Sequence, residues 1–150
     1  MPTKKQIEDF FVDDKIAVIG AARDDKKFGA YLYRELKKEG FDVYPVNPKA
    51  ETIQGDRCFQ SVRDLPAEVK RALIVTPPSS TADVLKEVLE TNIENIWIQR
   101  AADSPEALKI AKESGRNIIS KHCIMMFIEP VRGVHAMHRF FVKLFGKYPK

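Results

Sequence analysis

A glycine turn that carries three cations is the part of this chain best suited to bind a charged ligand. The apolar run 16–19 ends at Gly20, and a polar loop follows until a helix begins near Gly29. The cations lie between the two glycines: Arg23, Lys26 and Lys27. A strand, a turn and a helix in this order bring unpaired backbone N–H groups and the positive end of the helix macrodipole together. The pattern therefore predicts a site for a phosphate-bearing ligand.

The helix after this turn is expected to pack closely on the sheet through a glycine. Its small and apolar residues recur at a spacing that places them on one face: Gly29, Leu32, Tyr33 and Leu36. Because glycine has no Cβ, Gly29 would let the helix approach its neighbours closely. The strict dinucleotide motif G-x-G-x-x-G is not present, since Ala22 stands in place of the second glycine. A generic turn with a solvated charged tip is the alternative interpretation.

The end of the second apolar segment favours one class of nucleotide. In dinucleotide-binding domains, an acidic residue about twenty residues after the glycine turn holds the ribose hydroxyls. Here Asn47, Pro48 and Lys49 occupy that place. A lysine can pair with a phosphate on the ribose, which favours a 3′-phosphorylated adenosine such as coenzyme A (CoA), or a 2′-phosphorylated one, over NAD. A simple turn of the chain is the alternative.

Two prolines directly after the third apolar segment predict a rigid loop. The segment 71–75 is too apolar to show an alternation of polar and apolar residues, as is typical of a buried parallel strand. It is followed by Thr76, Pro77 and Pro78. Ligands of open α/β sheets bind at the carboxyl ends of the strands. The prolines could therefore form an apolar wall for an adenine, or they could only begin the next helix.

These candidate residues need a parallel sheet to bring them together. Short apolar segments alternate with helical ones along the chain: 16–19, 41–46, 71–75, 95–99 and 117–120. The alternation predicts an α/β fold, a doubly wound parallel five-stranded sheet of the Rossmann type with the order 3-2-1-4-5. A capping-box pattern, Thr3 with Gln6, predicts an N-terminal helix within 1–12. Apolar residues at helical spacing predict an added amphipathic C-terminal helix at 131–147.

The composition indicates one globular domain that covers residues 1–150. Hydrophobic residues make up 44% and charged residues 31%, and no apolar run approaches the ~20 residues of a membrane span. The N-terminal residues lack the apolar core of a signal peptide, so we expect a cytoplasmic protein. The net charge of +4, from 25 basic and 21 acidic residues, is spread along the chain. It fits a small anionic ligand at least as well as a nucleic acid, and we expect neither nucleic acid nor membrane as a partner.

Cysteine and histidine are the remaining candidates for chemistry, and we expect no metal site and no catalytic residue. A zinc site could draw on His122, Cys123, His135 and His138. No paired-cysteine motif supports such a site, and the adjacency of His122 and Cys123 makes joint coordination awkward. In a reducing compartment Cys58 and Cys123 are expected to be thiols, with Cys123 buried and inert. A further hypothesis is a mixed disulfide between Cys123 and the thiol of CoA.

Several stretches together resemble the small stand-alone CoA-binding proteins, which are similar to the nucleotide-binding domain of the succinyl-CoA synthetase α subunit. The resemblance covers nearly the whole chain in order and rests on IAVIGAARDDKKFGAYLYRELKKEGFDVYPVNPKAE, LIVTPPSST, NIWIQ and the closing HCIMMFIEPVRGVHAMHRFFVKLFGKYPK. It implies a Rossmann-type domain that binds CoA or acyl-CoA along the carboxyl edge of the sheet, as a sensor or carrier with no catalytic activity established. The histidine that is phosphorylated in the synthetase belongs to a second domain, so ligase activity is not inherited.

The resemblance also implies positions for the parts of CoA. It places the pyrophosphate near Gly20, Ala21, Ala22, Arg23, Phe28 and Gly29. It places the adenosine and its 3′-phosphate near Asn47, Pro48 and Lys49, with a further wall formed by Thr76, Pro77 and Pro78. The chain departs from the family at Ala101, where a glycine is common, and at Lys121 and His122, where small or acidic residues are common.

Two other functions are compatible with the sequence. An NADP-dependent oxidoreductase or redox sensor would use Lys49 to bind the 2′-phosphate, although an acid or base for hydride transfer and a substrate domain are not identifiable. An interaction protein would dock through the amphipathic helix 131–147, which would also suit the assembly of a homo-oligomer.

Overall fold

A computed structural model of the protein describes residues 2–128. In chain order its elements are α1 (Lys4–Phe10), β1 (Lys15–Ile19), α2 (Phe28–Lys38), β2 (Asp42–Val46), β3 (Thr52–Ile53), β4 (Asp56–Arg57), β5 (Arg71–Ile74), α3 (Pro78–Leu89), β6 (Asn95–Gln99), α4 (Pro105–Glu113) and β7 (Asn117–His122), with 3₁₀ turns at Val62–Asp64 and Ile124–Met126. The strands and helices predicted in this region are therefore confirmed. The predicted helix 131–147 lies outside the described residues, and the single-domain extent 1–150 stays a prediction.

A parallel sheet of five strands, with the order β2-β1-β5-β6-β7, forms the centre of the fold. All neighbouring pairs in it run parallel. The α/β class and the doubly wound parallel sheet are therefore confirmed. The predicted order 3-2-1-4-5 is wrong, because the third strand of this sheet, β5, pairs with β1 instead of extending the sheet beyond β2.

The outer edge of β2 is already occupied, which explains the different order. Phe59 forms a parallel bridge with Val46, and backbone hydrogen bonds join Asn47 N to Phe59 O and Phe59 N to Pro45 O, each at 2.9 Å. The chain reaches this position through the small antiparallel hairpin of β3 and β4. β5 therefore pairs on the free side of β1. The helix that follows β1, α2, and the helix that follows β5, α3, pack on opposite faces of the sheet. Such a switch point is where open α/β sheets form their ligand-binding crevice.

Helices cover both faces of the sheet. α1 and α2 pack on one face together with the segment 123–128, around the fully buried Trp97. The Trp97 ring lies edge-on to Phe10 at 5.3 Å between ring centroids, and its Nε1 donates a hydrogen bond to His122 O at 2.9 Å. α3 and α4 pack on the other face. Within residues 2–128, no helix is both long enough and apolar enough to cross a bilayer.

Candidate functional site

An open cleft of about 750 Å³ lies at the carboxyl ends of β1, β2, β5 and β6. It lies at the switch point between β1 and β5, beside the first turns of α2 and α3. The predicted site residues that line it are Gly20, Ala22, Phe28, Gly29, Asn47, Pro48, Lys49, Thr76, Pro77 and Pro78. Three separate loops, each predicted to follow a strand, are therefore brought together. Their role in binding a ligand stays a prediction.

Two of the predicted site residues do not line the cleft. The side chain of Ala21 is fully buried in the core, and Arg23 is exposed in the loop between β1 and α2. The sequence pattern could not separate these residues from their neighbours, because the direction of each side chain depends on the path of the whole loop. Only the backbone of Ala21 takes part in the geometry of the cleft, through a carbonyl oxygen that accepts a hydrogen bond from Asn47.

Glycines allow the backbone of the turn after β1 to pack against two neighbours. Gly20 has a φ of +98°, and a Cβ there would lie 2.9 Å from the carbonyl carbon and oxygen of Val75. A Cβ at Gly29 would overlap the carbonyl oxygen of Gly20, so the first turn of α2 rests directly on the turn after β1. The close approach expected at Gly29 is present. It leaves the backbone of the turn and the start of α2 exposed to the cleft, where an anion could be bound.

The two helices that begin at the cleft have no side-chain cap. The side chains of Lys27 before α2 and Pro77 before α3 accept no hydrogen bond from the backbone N–H groups of the first helical turn. In contrast, Thr3 caps α1 and Ser104 caps α4. Since the first N–H groups of a helix lack partners within the helix, an anion in the cleft could accept hydrogen bonds from them.

The cleft is basic. Lys27, Lys49 and Arg100 line it, and no Asp or Glu of the described residues does. In the part of the chain that the structure describes, none of these three cations has a carboxylate oxygen within 4.0 Å. Unpaired positive charge on three sides of one cleft favours a ligand that carries several negative charges.

Asn47 connects two loops of the cleft. Its Nδ2 donates to Ala21 O at 2.9 Å, and its Oδ1 accepts from Lys49 N at 2.8 Å. The first bond holds the turn after β1, and the second shapes the loop after β2 as an Asx turn. Because both ends of its amide are engaged, we expect Asn47 to influence a ligand mainly by holding these two loops in place.

Several lining residues are not among the predicted site residues. They are Ile19, Lys27, Val46, Val75, Ser80, Val84, Gln99, Arg100, Ala101 and Ala102. The sequence indicates Lys27 only as one cation of the glycine turn. Gln99 ends a predicted strand and Arg100 directly follows it, as Thr76 follows another. The rule that ligands bind beyond the carboxyl ends of strands could therefore have identified both residues.

Ala101 has a left-handed backbone conformation at the edge of the cleft, with a φ of +70°. This conformation suits the glycine that the resemblance implies at this position, since it costs an L-residue about 1–2 kcal/mol. Ala101→Gly is expected to raise the free energy of unfolding by about 0.5–1 kcal/mol, because the relief of strain exceeds the entropy that glycine adds to the unfolded chain. Urea unfolding measures the change.

Ala67→Gly is the matched control for this substitution, since Ala67 is exposed and has no positive φ. It should lower the free energy of unfolding by up to about 1 kcal/mol. Equal losses at Ala67 and Ala101 would contradict the strain at Ala101.

The cysteines and histidines of the described region lie away from the cleft lining. Cys58 and Cys123 are buried free thiols, and burial raises the pKa of Cys58. The pKa of the half-buried His122 is lowered, mainly by burial. No group of three metal-ligating side chains within residues 2–128 could hold a metal ion, and two of the histidines considered for zinc, at 135 and 138, lie outside that range. A disulfide between CoA and Cys123 stays a hypothesis, and it would require the thiol to leave its buried position.

Comparison with known proteins identifies the family of the chain. The family model of the CoA binding domain matches residues 14–129. The chain is 35% identical over 126 residues to the α subunit of ADP-forming acetate–CoA ligase II from Pyrococcus furiosus, covering 77% of this chain and 28% of that subunit. It is 25% identical over 124 residues to the uncharacterized protein YneT of Bacillus subtilis, covering 82% of this chain and 92% of YneT.

A solved structure of a hypothetical protein from Pyrococcus horikoshii is also similar, with a TM-score of 0.78 and 29% identity over 88% of this chain and 94% of that one. In contrast, the chain spans only 28% and 22% of the length of the first two ligases that it matches. The family model spans residues 14–129, which hold the whole five-stranded sheet and every lining residue of the cleft, and the chain therefore belongs to the CoA-binding domain family.

Proposed function

We propose that the chain binds CoA or acyl-CoA in the cleft and acts as a sensor or carrier without catalysis of its own. One observation carries the proposal: Lys27, Lys49 and Arg100 line the cleft, and no carboxylate of residues 2–128 neutralises them there. CoA carries a pyrophosphate and a separate 3′-phosphate, so its negative charges are distributed over a length that several dispersed cations can match.

The residues present fit the phosphates of such a ligand. The pyrophosphate would lie against Gly20 and Gly29, at the uncapped start of α2, with Lys27 beside it. The adenosine and its 3′-phosphate would lie at the end of β2, where Pro48 offers an apolar surface and Lys49 a positive charge. Bound CoA would supply its thiol as the point of attachment for an acyl group.

NADP is the competing ligand, because Lys49 could bind a 2′-phosphate as well. Hydride transfer would need an acid or base near the nicotinamide. Among the described residues, the cleft lining contains no His, Asp, Glu, Cys or Tyr, and its two lysines, Lys27 and Lys49, are assigned to the phosphates, which favours a binding role. Ligase activity is not carried over from the curated relatives, since the chain matches less than a third of their length. We also propose a cytoplasmic location, which the buried free thiols fit.

Thermal unfolding with CoA, dephospho-CoA, NAD and NADP tests the proposal. At about a hundred times the dissociation constant, CoA should raise Tm by roughly 5–10 °C, because binding then adds ~2.7 kcal/mol to the free energy of unfolding. Dephospho-CoA should raise Tm less, since it lacks the 3′-phosphate. A shift with NADP but not with CoA would contradict the proposal, and no shift with any of the four ligands would favour an interaction protein.

Lys49→Ala should remove most of the difference between CoA and dephospho-CoA. Lys109→Ala makes the same change of charge at an exposed position of α4, away from the cleft, and should leave that difference intact. An equal effect of both substitutions would mean that Lys49 acts only through the net charge.

A further inference from the structure

Gln99 is a buried polar side chain that reaches the cleft. Only 2% of its surface is exposed, yet it lines the cleft at the carboxyl end of β6. Its Oε1 accepts a hydrogen bond from Ile124 N at 3.1 Å. Its Nε2 has no hydrogen-bond acceptor among residues 2–128, although the atom is not completely sealed from solvent.

The backbone determines which end of this amide faces the cleft. The oxygen and nitrogen of a glutamine side chain can be exchanged by a rotation, and the hydrogen-bond partners decide between the two orientations. Ile124 N–H is a donor, so only the oxygen of Gln99 can pair with it. The Nε2 and its two N–H groups must therefore be the end that is available to the cleft. A donor that is held in place at the cleft and has no acceptor among residues 2–128 is available to pair with a ligand atom.

The order of the strands indicates which part of a ligand would reach Gln99. In the order of the strands across the sheet, Lys49 follows β2, Gly20 follows β1 and Gln99 ends β6. One strand, β5, lies between β1 and β6. Neighbouring strands are about 4.8 Å apart, so Gln99 lies roughly 10 Å beyond the glycine turn on the side away from Lys49. CoA has the order adenosine, pyrophosphate and pantetheine arm. With the first two parts at β2 and β1, the arm extends past β5 toward β6.

We propose that Gln99 Nε2 donates a hydrogen bond to a carbonyl oxygen of the pantetheine arm or of the thioester attached to it. The amide carbonyls of the arm and the thioester carbonyl offer the same chemistry, a neutral acceptor. A neutral amide such as Gln99 is a suitable donor for either of them. Gln99 is thereby a specificity-determining residue for the arm, separate from the residues that bind the phosphates. This assignment rests on the proposed binding of CoA in the cleft.

Calorimetric titration of wild type and two variants with three ligands tests the assignment. Gln99→Glu keeps an oxygen for Ile124 N–H and replaces the donor by an acceptor, and Gln99→Met removes the donor without adding charge. Both variants should bind acetyl-CoA about tenfold or more weakly than wild type does, and they should lose the same affinity for CoA when the acceptor is an amide carbonyl of the arm. Both should bind adenosine 3′,5′-bisphosphate, which has no arm, within about twofold of wild type. Gln60→Glu, at an exposed position outside the cleft, is the matched control and should change none of the affinities.

The three ligands separate the outcomes. A loss confined to acetyl-CoA assigns the acceptor to the thioester carbonyl, and a loss shared by CoA assigns it to an amide carbonyl of the arm. An equal loss for the bisphosphate, or unchanged affinity for CoA and acetyl-CoA in both variants, would overturn the assignment while leaving CoA binding intact. If wild type bound neither CoA nor acetyl-CoA, both the assignment and the proposed function would fail.

Discussion

Replacing Gly29 by alanine is expected to lower the free energy of unfolding by about 2–3 kcal/mol and to abolish the thermal shift with CoA. A Cβ at this position would overlap the carbonyl oxygen of Gly20. The overlap can be relieved only if α2 moves away from the turn after β1, which loosens the packing of the fully buried Leu32 and Leu36. The same movement displaces the backbone N–H groups that would bind the pyrophosphate.

Helix propensity makes the opposite prediction for this substitution, so the sign of the effect is informative. Gly29 lies in the first turn of α2 and has no positive φ. Within a helix, alanine is more favourable than glycine by up to about 1 kcal/mol. Urea unfolding of Gly29→Ala therefore distinguishes a close contact, which lowers stability, from an ordinary helical position, which raises it.

Gly40→Ala is the matched control for Gly29→Ala. A Cβ at Gly40 would meet nothing within 4 Å, but its φ of +93° strains an alanine. This variant should lose about 1 kcal/mol and keep the full thermal shift with CoA. If Gly29→Ala were as stable as wild type and still bound CoA, the contact with Gly20 would not be needed for the site.

Local patterns in the sequence predict the elements well, because their causes lie within a few residues. The capping box that predicts α1 is present, with Gln6 N donating to Thr3 Oγ1 at 3.2 Å and Thr3 N donating to Gln6 Oε1 at 2.8 Å. Ser104 accepts from Ala107 N at 3.1 Å at the predicted start of α4. The loops that end in Asn47-Pro48-Lys49 and Thr76-Pro77-Pro78 are found at the cleft for the same reason, since each directly follows a predicted strand.

Features that depend on distant residues could not be predicted from these patterns. The order of the strands changes because Phe59 occupies the outer edge of β2, and nothing in the composition of residues 41–46 indicates that contact. Likewise, Gln99 ends a predicted strand, but the direction of its amide is set by Ile124, 25 residues later. The resemblance implies a place near the pyrophosphate for Ala21 and Arg23, and the path of the loop buries the first side chain and exposes the second outside the cleft lining.

Arg71→Met is expected to lower the free energy of unfolding by about 2–4 kcal/mol and to leave the affinity for CoA unchanged. Arg71 begins β5 and is only 5% exposed. Its Nε donates to Phe10 O, its Nη2 donates to Asp9 O at 3.3 Å, and its Nη1 lies 3.7 Å from Asp13 Oδ2. The guanidinium thus joins the last turn of α1 to the sheet, at the helix end where a cation is favourable.

Methionine would fill much of the space of the arginine stem but would offer no donor to these carbonyl oxygens. Urea unfolding measures the resulting loss of stability. Arg63→Met is the matched control, because the Arg63–Glu90 ion pair is formed by side chains that are 59% and 63% exposed. Solvent screens such a pair, so this variant should lose less than about 1 kcal/mol. Equal losses at Arg63 and Arg71 would show that the buried hydrogen bonds to α1 contribute nothing.

The affinity for CoA should be unchanged in Arg71→Met, because Arg71 stabilises the amino edge of the sheet and the cleft lies at the carboxyl edge. Arg71 lies at the amino end of β5, and the cleft begins at its carboxyl end with Val75 and Thr76. The strand between them separates the two sites by roughly 13 Å, a distance beyond which substitutions usually act independently. Below the unfolding transition, the dissociation constant for CoA should stay within about twofold of the wild-type value. A loss of affinity in parallel with the loss of stability would mean that the cleft depends on α1, and that the amino edge does more than stabilise the fold.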